Sequence, residues 1–161
     1  MAIWANGGSV HEQLMADPID RLVRDHRKLM NLMYKLTVDE ADGPDMSAEE
    51  ILRELEEELE LHSRLEEALF QPAFGESDGA AQRAMYEHRR EHDEVNEVVE
   101  SLRRVTPNSR EFVQRAKQLE TYIAEHAEQE EAHLFPQLRE LLSEQELDAI
   151  GASVPERPEN D

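Results

Sequence analysis

Apolar residues recur at steps of three and four in four separate stretches of the chain, residues 19–36, 51–70, 81–102 and 112–134. This spacing places them on one face of an α-helix. Charged and polar residues occupy the positions between them, as on the solvent-facing side of a helix. The pattern therefore predicts four amphipathic helices.

Capping residues, prolines and glycines mark where these helices begin and end. Asp17 is an N-cap followed by proline at the first helical position, and Ser47 and Glu50 have the spacing of a capping box. Residues 39–46 (DEADGPDM) predict a loop through their glycine, proline and aspartates. The other predicted boundaries are an end at Pro72 and Gly75, a start near Ser77 and Asp78, a break at Thr106 and Pro107, and a cap at Asn108 or Ser109.

Four amphipathic helices with short connections predict an all-α fold, an antiparallel up-down-up-down four-helix bundle. A second Ser-x-x-Glu capping box at Ser143 predicts a short C-terminal helix. The chain of 161 residues suits one domain. We predict a flexible N-terminal lead over residues 1–16, the bundle over 17–142, and a short helix with a disordered tail (SVPERPEND) over 143–161.

Seven ionisable residues interrupt the apolar faces. They are His26, His62, Glu66, His88, His92, His126 and Glu130. A buried carboxylate without a partner costs several kcal/mol. Seven such groups in one core would outweigh a typical domain stability of roughly 5–15 kcal/mol. Metal ions compensate this cost directly, because they accept imidazole nitrogens and carboxylate oxygens as ligands.

The spacing of these residues supports a shared metal site. HSRLEEALFQP (62–72) and HAEQEEAHLFP (126–136) repeat a histidine, a glutamate four residues later and a proline at the same offset. Residues four apart share a helix face, so each pair aims two donors into the same space. At ~1.5 Å per residue from the connecting loops, all seven lie roughly 18–31 Å along the bundle. Seven ligands suit two bridged metals, and this donor set favours iron, with manganese or zinc as alternatives.

The ordered pattern His, HxxxE, HxxxH, HxxxE, with the endings EEALFQP and EEAHLFP, resembles the hemerythrins and hemerythrin-like HHE cation-binding domains over about residues 17–136. The resemblance implies a non-haem di-iron centre with an oxo or hydroxo bridge inside the bundle. By motif position, it implies His88, His92 and His126 on one iron, His26 and His62 on the other, and Glu66 and Glu130 as bridges.

The resemblance also implies an open position on the second iron, where family members bind O₂ or handle peroxide or nitric oxide. Oxygen-carrying members often have an aspartate where this chain has Glu131, so the metal site is implied more firmly than reversible oxygen carriage. Two functions stay open: an O₂-binding protein, and an enzyme of catalase, peroxidase or NO-reducing type. A ferritin-like iron store ranks lower, because the apolar faces hold one Glu-x-x-His, Glu130 to His133. An acidic structural bundle would leave the inward histidines unexplained.

The amino-acid composition restricts the classes of partner that we expect for this chain. The net charge of −21 argues against nucleic acid and anionic membrane surfaces, which need clustered Lys and Arg. The chain has no cysteine, which excludes disulfides and thiolate metal sites. It also shows no membrane-spanning run and no secretory signal, so we predict a cytoplasmic protein.

Residues around the proposed ligands have secondary roles. His133 is predicted to lie at the surface near a helix end, and Glu67 and Glu131 to be solvated or to hydrogen-bond the ligands. Tyr122, one turn before His126, has the position of a hydrogen-bond donor to a bound ligand or of a packed surface residue. The predicted core residues, some of which should line a ligand pocket, are Leu29, Met30, Leu59, Leu119 and Ile123.

Overall fold

A computed structural model describes residues 17–38, 47–75 and 79–156. Within these residues the helices are α1 (Pro18–Thr37), α2 (Ala48–Phe74), α3 (Gly79–Arg103), α4 (Arg110–Gln129), α5 (Phe135–Leu141) and α6 (Glu144–Ser153), with a π-helical turn (Glu130–Leu134) between α4 and α5. The described residues contain no strand, and the all-α prediction is confirmed. The predictions for residues 1–16, 39–46, 77–78 and 157–161 lie outside the described residues.

The first four helices form the predicted bundle. Helix α1 packs against α2 and α4, and α3 packs against the same two helices, so the four enclose a common interior. Consecutive helices that touch and are joined by short connections run antiparallel. The short helix α6 lies against α1 and α2, which closes one end of the bundle.

Side-chain caps begin the helices where the sequence placed them. Asp17 accepts a hydrogen bond from the Ile19 amide at 2.9 Å, and Ser143 and Glu146 form a reciprocal capping box. For α4 the sequence predicts either Asn108 or Ser109 as the N-cap. Ser109 is the cap, accepting from the Phe112 amide at 3.1 Å, while Asn108 has a positive φ of 64°.

The α4 cap gives a modest stability prediction. Ser109→Ala removes the acceptor for the Phe112 amide and should lower the free energy of unfolding by about 1 kcal/mol. In a domain of this size that corresponds to about 2–4 °C in Tm, measurable by thermal denaturation. Ser109→Asp keeps an acceptor at the same place, so a Tm loss as large as that of alanine would contradict the capping role.

The apolar core consists of two clusters on either side of a polar layer. The loop cluster, which includes Phe112 and lies toward the α1–α2 and α3–α4 connections, consists of Leu29, Leu32, Met33, Leu36, Ile51, Leu52, Leu55, Val95, Val99, Leu102, Phe112, Ala116, Leu119 and Ile123. The arm cluster, toward α5 and α6, consists of Ile19, Leu22, Leu65, Leu69, Phe70, Phe135, Leu138, Leu142 and Leu147. Apolar side chains on both sides shield the polar layer between them from water.

The C-terminal helices are fastened to α1 by arginines. Arg139 donates to Asp17 at 3.1 Å and to Asp20 at 3.0 Å. The buried Arg21 donates to the Gly151 carbonyl at 2.9 Å and lies 3.3 Å from Glu156. Val154, which follows α6, also packs on the arm cluster.

Candidate metal centre

The structure brings all seven predicted residues together in the polar layer. Their ligand atoms form two sets, each with atoms within 4.8 Å of one another. The two-histidine set is His26, His62, Glu66 and Glu130, and the three-histidine set is Glu66, His88, His92 and His126. Each of the four bundle helices carries at least one of these residues, and Glu130 begins the π turn.

Two buried carboxylates lie between the sets. Glu66 Oε1 is 2.6 Å from His62 Nε2, while its Oε2 contacts His88 Nε2 and is 3.0 Å from His92 Nε2. Glu130 Oε1 is 3.1 Å from both His26 Nε2 and His126 Nε2. Each carboxylate therefore reaches histidines of both sets, which is the placement that a bridging ligand requires.

The five histidines share one orientation, with Nε2 toward the carboxylates. On the opposite side of the ring, four Nδ1 atoms face polar groups of neighbouring elements. The Nδ1 neighbours are Ser63 Oγ at 2.8 Å for His92, Glu91 at 3.3 Å for His126, Asp25 at 3.5 Å for His62 and Glu131 at 3.8 Å for His26. Ser63 hydrogen-bonds Nδ1 of His92, and such a bond fixes the tautomer that presents the other nitrogen to a metal, whereas Nδ1 of His26 and of His62 makes no hydrogen bond among the described residues.

Sequence reasoning named Glu131 among these partners but missed Asp25, Ser63 and Glu91. Each of the three contacts a histidine on a neighbouring helix, so no spacing along the chain reports it. The available signal was that Asp25 and Glu91 each directly precede a predicted ligand, His26 and His92.

The pKa values of the buried groups follow from these contacts. Burial alone would lower the pKa of His62, but the charge of Glu66 and the contacts with Asp25 and Glu130 raise it well above its ordinary value of 6.5. Burial would also lower the pKa of His126, but the contact with Glu130 outweighs this effect and raises the pKa.

The pKa values of the two buried carboxylates shift in the opposite direction. Burial would raise the pKa of Glu66, but its histidine neighbours, His62 first, lower it well below 4.5. For Glu130, burial and the charge of Glu66 would raise the pKa, but close contacts with His126, His26 and His62 outweigh these effects and lower it. In the metal-free layer, therefore, the contacts between histidines and glutamates favour the charged form of both.

Hydrogen bonding inside the layer is incomplete, and this shows that a metal fits it. His62 Nε2, Glu66 Oε1, His126 Nε2 and Glu130 Oε2 are buried and make no hydrogen bond among the described residues, although His62 Nε2 and Glu66 Oε1 are only 2.6 Å apart. Such short contacts without hydrogen-bond alignment mean that the atoms face a common space rather than one another. Buried polar atoms normally have partners, and a divalent cation accepting nitrogen and oxygen donors would provide them.

The π turn corrects the sequence prediction after Glu130. The predicted apolar face ended at Leu134, but the next buried residue is Phe135, whereas His133 is exposed, as the sequence predicted. A π turn adds one residue to the helix, which moves the next inward position along by one. Phe135 consequently stacks on His26 at 5.7 Å, while Phe70 in the first repeat packs against His88 at 4.9 Å.

A small cavity of about 30 Å³ adjoins the layer on the side of the loop cluster. Its lining is His26, Leu29, Leu59, His62, Ser63, Glu91, His92, Val95, Asn96, Tyr122, Ile123 and His126. Among the predicted pocket residues, Leu29, Leu59 and Ile123 line it, whereas Met30 and Leu119 pack in the loop cluster. Since one water needs about 10–15 Å³ by this measure, the cavity suits a diatomic molecule.

Tyr122 lies at this cavity, parallel to the His126 ring at 6.4 Å. Burial and the charges of Glu91 and Glu94 raise its pKa to about 12. The phenol therefore keeps its proton near neutral pH and remains a hydrogen-bond donor.

Comparison with known proteins agrees with this geometry. The hemerythrin HHE cation-binding domain family matches residues 17–138, which include all four bundle helices and all seven candidate ligands. The chain belongs to the hemerythrin family. Its two ligand sets are thus a candidate metal centre of a hemerythrin HHE cation-binding domain.

A DNA nickase of Nostoc sp. (strain PCC 7120) is similar to this hemerythrin-family chain at 26% identity over 133 residues. The match covers 80% of the chain but 35% of the nickase, so the chain spans about a third of the length of that relative. No solved structure matches the chain significantly.

None of the helices in the described part of the chain is long and apolar enough to cross a membrane.

Proposed function

We propose that this hemerythrin-family chain holds two iron ions in the polar layer and binds O₂, peroxide or NO at an open position on one of them. The observation that carries the proposal is the placement of two buried carboxylates, Glu66 and Glu130, between a two-histidine set and a three-histidine set. Such an iron pair supplies a vacant coordination position and redox electrons to a small ligand.

The contacts support a division of the ligands between two positions. His88, His92 and His126 would hold one ion, and His26 and His62 would hold the other. Glu66 belongs to both sets, and Glu130 Oε1 approaches His26 and His126, so both carboxylates could serve both ions. The two-histidine position has one nitrogen fewer, so a small ligand has room there.

The cavity supports this assignment, because His26 and His62 both line it. Its apolar wall includes Leu29 and Ile123, which exclude bulk water from the open position. The protonated phenol of Tyr122 at the same cavity is placed to donate a hydrogen bond to a bound anion or polar ligand.

The polar side of the cavity favours a second function, the reduction of peroxide or nitric oxide. Both reductions consume protons. Glu91, whose side chain is 42% exposed, lines the cavity and lies 3.3 Å from His126, so it connects the site to solvent protons.

Reconstitution tests the proposal. Protein loaded with ferrous iron without oxygen should contain two irons per chain by metal analysis. Its absorption spectrum should change on exposure to O₂, NO or peroxide. A change that reverses under vacuum indicates oxygen binding, whereas sustained turnover of peroxide indicates catalysis. Protein that binds no iron, or whose loaded spectrum responds to none of the three, would refute the proposal.

A cavity-filling variant separates ligand access from iron binding. Ile123→Phe adds volume to the cavity wall without removing a ligand. We expect two irons per chain and at least ~10-fold weaker O₂ or NO binding, at a stability cost of about 1–3 kcal/mol from overpacking. The measurement is ligand titration of the loaded protein. Unchanged affinity would show that the ligand does not occupy this cavity.

A further inference from the structure

Asp25 and Glu91 occupy equivalent places in the two halves of the bundle. Asp25 directly precedes His26 on α1, and its carboxylate lies 3.5 Å from Nδ1 of His62 on α2, a charged contact without hydrogen-bond alignment. Glu91 directly precedes His92 on α3 and lies 3.3 Å from Nδ1 of His126 on α4. Each half therefore has one carboxylate on the outer nitrogen of the histidine in its HxxxE motif.

The two halves differ in their access to solvent. In the two-histidine set the side-chain exposures are 5% for His26, 4% for His62, 0% for Glu66 and 4% for Glu130. In the three-histidine set they are 11% for His88, 17% for His92 and 18% for His126. The three-histidine set is thus the more open of the two, on the side of α3 and α4.

The helices around the two sets also differ in how firmly they pack. On α1, His26 is flanked one turn away by the buried Leu22 and Leu29. On α3, by contrast, none of the described side chains before Val95 is buried. Segments with few buried contacts open locally at lower free energy than the core. The part of α3 that carries His88 and His92 should therefore separate from the bundle more readily than α1 or α2.

We propose that Asp25 and Glu91 are positioning residues for opposite halves of the centre, and that the three-histidine half exchanges its metal with solvent first, between α3 and α4 beside Glu91. The proposal rests on the proposed function only in requiring that both positions bind a metal. A carboxylate on Nδ1 fixes the ring and strengthens Nε2 as a donor, and its loss typically costs 10–100-fold in metal affinity. The third histidine strengthens equilibrium metal binding at the three-histidine position, but local opening of the helices sets the rate at which the metal is released.

Metal release into a chelator tests both parts. The full chain is loaded with two Co²⁺ ions and mixed with excess of a coloured chelator, and release is followed by stopped-flow absorbance. We expect two phases of equal amplitude. Glu91→Gln should accelerate the fast phase about 10-fold and leave the slow phase unchanged, whereas Asp25→Asn should accelerate only the slow phase.

Glu94→Gln is the matched control. Glu94 is an exposed acid on α3 that pairs with Arg90 and touches no ligand, so its loss should alter neither phase. Circular dichroism and Tm of the metal-free variants report whether they fold. If a variant releases one ion too fast for stopped-flow mixing, its metal affinity is measured by competition titration at equilibrium instead of its release rate. The affinity of only one position should then fall.

The possible outcomes separate the two proposals. Protein that binds no Co²⁺ and no iron contradicts the proposed function. Protein that binds two ions but loses both in one phase, or whose fast phase responds to Asp25→Asn instead of Glu91→Gln, keeps the proposed function and overturns this inference. Equal acceleration by Glu94→Gln would show that surface charge, and not the Nδ1 contact, governs release.

Discussion

Replacing Glu66 by alanine is expected to abolish binding at both metal positions and to destabilise the metal-free protein. Glu66 is the carboxylate fully buried between the sets, with one oxygen 2.6 Å from His62 and the other 3.0 Å from His92. Its removal takes a ligand from each position at once. It also leaves buried histidines without their counter-charge, which typically costs about 3–5 kcal/mol, or roughly 6–20 °C in Tm at this chain length.

Metal analysis after reconstitution and thermal denaturation measure the two effects. Glu67→Ala is the control, because Glu67 is the adjacent residue, is exposed, and lies outside both ligand sets. We expect that variant to bind two ions and to melt within about 2 °C of the unmodified chain, as most exposed substitutions do. A Glu66→Ala protein that still holds two ions per chain would rule out the bridging role.

Metal binding is expected to release protons and to weaken steeply in acid. The pKa values of His62 and His126 are raised in the metal-free protein, so both rings keep their proton to a higher pH than a free histidine does. Only neutral imidazole coordinates, so the ion at each position must displace the proton of its own histidine. Below the raised pKa values, the affinity of each position should therefore fall about tenfold per pH unit, and the overall constant for binding two ions about a hundredfold.

Titration of metal into weakly buffered protein with an indicator dye measures the protons released. Release should approach two protons per chain at about pH 6, which is below the ordinary histidine pKa of 6.5 and below the raised pKa values of His62 and His126. Affinity that does not change between pH 5 and 7 would contradict coordination by these histidines.

The same pKa shifts predict how the stability of the metal-free protein depends on pH. A raised histidine pKa stabilises the fold fully below the ordinary value of 6.5, and this stabilisation is lost as pH rises through the raised values of His62 and His126. A lowered glutamate pKa stabilises the fold above 4.5, and this is lost as pH falls through the lowered values of Glu66 and Glu130. The metal-free bundle should therefore be most stable between about pH 4.5 and 6.5.

Urea denaturation of chelator-treated protein across pH 4 to 9 tests this window. The loaded protein should behave oppositely above pH 6.5, gaining stability as the histidines become neutral ligands, because a ligand that binds only the folded state adds its binding free energy to stability. Metal-free protein whose stability rises from pH 6 to 9 would show that the histidines are not held as imidazolium beside the carboxylates.

The helices and the residues of the polar layer could be predicted from local patterns along the chain. Apolar spacing defines the inner face of each helix, and histidines and glutamates four residues apart must share that face. Because the rise per residue is constant, distance from the loops also placed all seven candidate ligands at one level. Those seven residues are the ones that the structure brings together.

Features that depend on contacts between helices could not be predicted from those patterns. The π turn at Glu130 buries Phe135 against His26, an arrangement that regular helical spacing does not predict. The contacts of Asp25 and Glu91 with histidines on neighbouring helices depend on how each helix is rotated about its axis. Packing of the whole bundle sets that rotation, so local periodicity identified the candidate ligands, and tertiary contacts determined their partners, their exposure and the cavity beside them.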